Sequence, residues 1–102
     1  MNDIETTENF EQHLNQLNEA AKKTILEKLD QFKQGDFGHI IPLSRDGVYA
    51  ADVDGEVSYL IYYAFERNIV YLLNLSESKR IKPEDAENAC KAWRIINGDH
   101  YG

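Results

Sequence analysis

Cysteine, proline, positive charge and long apolar runs are all scarce in this chain of 102 residues. One cysteine, Cys90, leaves no partner for an internal disulfide, which fits a reducing cytoplasm. The longest apolar region, 59–75, is interrupted by Glu66, Arg67 and Asn68, so no membrane-spanning segment is expected. The opening "MNDIETTENF" has neither a basic stretch nor an apolar run, so no secretory signal is expected either. No spacing of cysteine and histidine suggests a metal site, and no motif asks for a cofactor. Positive charge is the most informative shortage. Eleven Lys and Arg stand against 18 Asp and Glu, a net charge of -7. A general nucleic-acid binder must neutralise phosphates, and so acidic a chain does this poorly unless its cations are grouped. They are grouped once, in Lys79, Arg80 and Lys82.

Hydrophobic residues make up 42% and aromatics 11%, enough for a packed core in one domain spanning residues 1–102. Thr7 is placed to cap a first helix with Phe10, Leu14 and Leu17 on one face. Asn18 opens a second with Ala21, Ile25, Leu29 and Phe32, which Gly35 ends. The pattern then changes to short strands over residues 40–43, 48–53, 57–65 and 69–75. Pro42 marks an edge, "RDG" and "ERN" read as turns, and Asp54-Gly55 as a strong hairpin signal. Pro83 suits the first turn of a closing helix with Ala86, Ala89, Cys90, Trp93 and Ile96 as its stripe, ended by Asn97-Gly98. The expectation is an α+β domain: an N-terminal helical hairpin, a four-stranded, mainly antiparallel sheet and a C-terminal helix.

Several stretches together carry a likeness. They are "FEQHLNQL", "ILEKLDQFKQGDFG", "LSRDGVYAADV", "YLIYY" and "IVYLLNLSESK" followed by "KPEDAENACKAW". In order and spacing the chain resembles the RelE/ParE superfamily of toxins, closest to the HigB-like addiction module killer group. That resemblance implies a ribosome-dependent mRNA endoribonuclease, metal-independent, in which the RNA's own 2′-hydroxyl attacks the adjacent phosphate. It also implies a partner antitoxin, and in the ParE branch a poison of DNA gyrase.

The departures fall at functional positions. Where the resemblance leads one to expect arginines, this chain has Asp52 and Leu60. Neither stabilises a phosphorane, and Asp52 repels phosphate. Lys79 aligns with the family lysine, with Arg80 and Lys82 beside it. His100 and Tyr101 stand where such nucleases complete their sites, so the candidate catalytic set is Lys79, Arg80, Lys82, His100 and Tyr101. Arg45 and His39 lie in loops that could border the same face. Arg45, Asp52, Asp54 and Glu56 are the candidate surface for a protein partner, the three acids suiting a basic one. Cys90 reads as core packing, and Tyr59, Tyr62, Tyr63 and Tyr71 as sheet residues rather than base-stacking platforms. Three readings remain open: a toxin-like ribonuclease with a degenerate site, an inactive relative that binds protein through acid, as an inhibitor or a gyrase-type poison, or a structural or regulatory module without toxicity.

Overall fold

A computed structural model describes residues 1–43 and 47–98. Eight elements follow in order: β1 (Asp3–Thr6), α1 (Glu8–Asn15), α2 (Glu19–Lys33), β2 (Ile40–Pro42), β3 (Val48–Val53), β4 (Tyr59–Glu66), β5 (Ile69–Ser76) and α3 (Pro83–Gly98). The strands form one mixed sheet in the order β1-β5-β4-β3-β2, with β1 parallel to β5 and every other pair antiparallel.

The helix boundaries arise from local chemistry. The Thr7 side chain accepts from the Phe10 amide and the Asn18 side chain from the Ala21 amide, so each helix starts on an oxygen that satisfies a free donor. At the end of α2, Gly35 has φ +85°, its amide bonds to the Phe32 carbonyl, and the Asp36 amide reaches back to Gln31. This left-handed exit satisfies two end carbonyls and turns the chain toward the sheet.

The sheet is covered on both faces. On one, Phe10, Ile25, Leu29 and Phe32 from α1 and α2 pack with Ala51, Val53, Tyr59, Ile61, Tyr63, Val70, Leu72 and Leu75. On the other, Ala89 and Trp93 from α3 pack with Val48, Ala50, Leu60, Tyr62, Ala64 and Leu73. This explains the near-continuous apolar runs of β4 and β5, since alternate residues serve opposite layers and both layers are dry.

Two corrections to the sequence reading concern the sheet. It has five strands, not four. β1 escapes recognition because "DIET" offers a single inward apolar residue, Ile4, and its pairing partner, 69–72, lies far along the chain. The hairpin at Asp54-Gly55 does join β3 to β4, but not through a two-residue turn. Residues 54–58 form a five-residue connection, and β4 starts at Tyr59 rather than at residue 57. The two-residue turn is Arg67-Asn68, with φ of 54° and 64° between the paired residues Glu66 and Ile69. Positive φ at both central positions matches the twist of antiparallel strands.

Two stability outcomes follow from these turns. Arg67→Asn places a residue more tolerant of the left-handed region at the first turn position, and should raise unfolding free energy by about 0.5–1 kcal/mol in urea titration. A lower midpoint would contradict the turn assignment. Gly35→Ala adds a Cβ with nothing within 4 Å, so its cost, about 1 kcal/mol, is purely backbone conformation. No loss would mean that Gly35 is not held left-handed.

Candidate functional site

Lys79, Arg80 and Lys82 lie between β5 and α3, and all three are exposed. None makes an ion pair among the described residues. The loop is shaped by Ser78, whose hydroxyl accepts from the Arg80 amide at 3.1 Å and donates to the Arg80 carbonyl at 2.8 Å. Ile81 anchors it by packing against the apolar cluster under α3. The loop therefore has one half-buried foot and three cationic side chains on the outside.

Strand register relates this loop to the other candidate positions. Asp52 pairs with Leu60, and Leu60 pairs with Ser76, the last residue of β5. The three form a row across the end of the sheet from which the basic loop leaves. Asp52 and the loop thus share one sheet end, two strand spacings or roughly 10 Å apart along the row. Between them Leu60 is fully buried. It belongs to the α3 core, so an arginine there would bury a charge without a partner.

Asp52 is already engaged. Its carboxylate lies 2.8 Å from His39 Nδ1, and its amide donates to the His39 carbonyl at 3.3 Å. β2 begins one residue later, so this pair closes the place where the edge strand stops covering β3. Asp52 and Asp54 border a polar cleft of about 220 Å³ with Thr24, Glu27, Lys28 and Gln31 of α2. Glu56 lies elsewhere, beside a smaller cleft of about 100 Å³ with Asn18, Thr24 and Tyr59. The three acids are accordingly divided between two clefts that share Thr24. Arg45, His100 and Tyr101 lie outside the described residues. The described residues contain no group of three His, Cys, Asp or Glu able to hold a metal ion.

Two groups beneath the basic loop escaped the sequence reading as site residues. Asn74, 1% exposed, sits in β5 directly below the first turn of α3. Tyr62 is completely buried, and its hydroxyl has no hydrogen-bond partner among the described residues. Burial raises the Tyr62 pKa. The Lys82 backbone amide opposes that rise without closing a hydrogen bond, and the Asp85 carboxylate adds to it. Tyr63, in the opposite core, is raised more strongly, by burial first and then by Tyr49. A tyrosine amid an apolar run carries no sequence signal of this kind.

Among the described residues no helix is long and apolar enough to cross a membrane. No known family model matches the sequence, and no curated protein matches it.

The tyrosines set a pH limit. Tyr62 and Tyr63 hold their protons more tightly folded than unfolded, so the unfolded chain binds fewer protons once pH passes about 10. Their contribution to stability is complete below that pH and is lost as pH rises through their folded pKa values. Denaturant titrations should show stability falling above about pH 10, less steeply in Tyr62→Phe. At pH 7 that variant should stay within about 0.5 kcal/mol of the wild type, because the hydroxyl it removes has no bond to lose. A loss above about 1 kcal/mol would reveal a partner for the hydroxyl.

Proposed function

We propose that this chain is the toxin-like component of a toxin–antitoxin pair, acting in the cytoplasm, with the basic loop as its phosphate-contacting element. The single observation that carries the reading is the concentration of Lys79, Arg80 and Lys82, exposed and free of ion pairs among the described residues, in a chain of net charge -7. The α1–α2 pair, the antiparallel run from β2 to β5 and the closing α3 keep the order that a RelE/ParE-like layout implies, which supports the same reading. The reaction is metal-independent cleavage of ribosome-bound mRNA. The ribose 2′-oxygen bonds to the adjacent phosphorus while the bond to the 5′-oxygen breaks. A base takes the 2′-hydroxyl proton, an acid protonates the leaving 5′-oxygen, and Lys79 and Arg80 offset the charge that gathers on the phosphorane. The acid and base fall to His100 and Tyr101.

A second reading has its own observation. Leu60 is sealed in the core and Asp52 is paired with His39, so neither position supplies a cation. That favours an inactive relative that binds a basic protein through the cleft between Asp52, Asp54 and Glu27, as an inhibitor or a gyrase-type poison.

Induced expression in a bacterial host separates the two. The ribonuclease reading expects growth arrest with ribosome-associated mRNA cleavage, and a loss of cleavage of about 10²–10³-fold in Lys79→Ala/Arg80→Ala. Arrest without cleavage, abolished by charge reversal at Asp52 and Asp54, would establish the protein-binding reading. Normal growth would sink the toxin reading in both forms.

A further inference from the structure

We propose that Asn74 is the positioning residue of the basic loop. Its buried carboxamide ties the first turn of α3 to β5 and α1, and so fixes where Lys79, Arg80 and Lys82 stand. The functional weight of this inference rests on the reading of that loop as the phosphate-contacting element.

The geometry starts in the strand. The ladder between β4 and β5 pairs Tyr62 with Asn74 but Tyr63 with Leu72, which leaves Leu73 as an extra residue in β5. A bulge of this kind lets two consecutive residues serve one face of a sheet. Leu73 packs in the α3 core, and Asn74 also reaches α3, while Leu72 and Leu75 on either side belong to the opposite core.

Every named contact of the carboxamide reaches backbone or another amide. Its oxygen accepts from Asn9 Nδ2 of α1 at 3.0 Å and from the Leu75 amide at 2.9 Å. Its nitrogen donates to the Asp85 carbonyl at 3.2 Å. Asp85 is three residues beyond Lys82, and the Lys82 carbonyl accepts the Ala86 amide. The donor from Asn74 therefore holds the same helical turn from which the basic loop hangs. A polar group this deeply buried is costly when unpaired, so each of these contacts is strongly favoured. The loop's other foot, Ile81, is apolar and gives no direction to its neighbours. The bond to Asp85 is directional.

This assigns different consequences to three substitutions. Asn74→Ala removes the tie to α3. Asn9→Ala removes the tie to α1 and leaves the Asp85 bond in place. Asn74→Asp keeps both acceptor contacts, and its carboxyl, protonated at low pH in so buried a place, again offers a donor to Asp85.

Amide hydrogen exchange at pH 5, read residue by residue by NMR, tests the inference without any RNA. In Asn74→Ala, protection at residues 79–82 and 84–87 should fall about tenfold or more, while β3 and β4 stay within about twofold. Asn9→Ala should leave the loop within about twofold, and Asn74→Asp should restore most of what Asn74→Ala loses. Where the alanine variant does not fold, Asn74→Leu fills the space without a donor and is read in the same way. Unchanged loop protection, an equal fall in loop and sheet, or no recovery in Asn74→Asp would each overturn the proposal. A separate titration of the wild type with a single-stranded RNA oligonucleotide reads the phosphate role. Failure to bind would count against that role alone, and the exchange result would still decide the positioning.

Discussion

The structure depends on covering both faces of one short sheet in a chain with few residues to spare. α1 and α2 take one face and α3 the other, so β4 and β5 are dry on both sides. A strand in that position can carry almost no polar atom unless it is fully paired. β5 carries two buried polar side chains, Ser76 at its end and Asn74, and pairs Asn74 with α1 and α3 together. The bulge at Leu73 keeps the rest of the strand in phase, with Leu72 and Leu75 serving one core and Leu73 the other.

The same constraint accounts for how the sheet ends at β5. β1 covers only 69–72 of that strand, through Thr6. The remaining edge is met by side chains from the start of α1. Thr7 donates to the Leu72 carbonyl at 2.9 Å, and Asn9 reaches the Leu73 carbonyl at 3.4 Å. A helix therefore finishes an edge that a strand began, which removes an open row of backbone groups. At the other edge β2 is three residues long and ends in proline, both of which discourage further pairing.

Much of this was legible where local chemistry decides. Thr7, Asn18 and Gly35 mark helix ends through side-chain oxygens and a left-handed φ, and the stripes of α2 and α3 follow the helical period. What escaped depends on partners distant in sequence. β1 has one inward apolar residue and is a strand only because 69–72 lies beside it. Asp54-Gly55 has the composition of a tight turn but is drawn into a longer connection where Gly55 lies near Thr24 of α2. The tight turn is Arg67-Asn68, inside the "ERN" that reads as a turn in sequence, since the β4–β5 ladder runs to Glu66 and Ile69 and leaves two residues to reverse the chain. At the site, the basic trio was visible in sequence, but nothing there distinguishes Leu60 as a sealed core residue or Asn74 as a buried bridge.

That distinction bears on the two positions where the resemblance leads one to expect arginines. A position that has merely lost its charge stays solvent-accessible and can regain function by one substitution. Leu60 is fully buried among residues that pack with Ala89 and Trp93, so a guanidinium there would place a charge in a dry layer. The penalty for an unpaired buried charge exceeds what one phosphate contact returns. Asp52 is different, since it is partly exposed and its partner His39 is largely so. The row from Asp52 through Leu60 to Ser76 thus contains one position closed by packing and one open to chemistry. In the proposed reading, phosphate contact on this sheet end falls to the loop beyond Ser76, where Lys79, Arg80 and Lys82 stand outside the core.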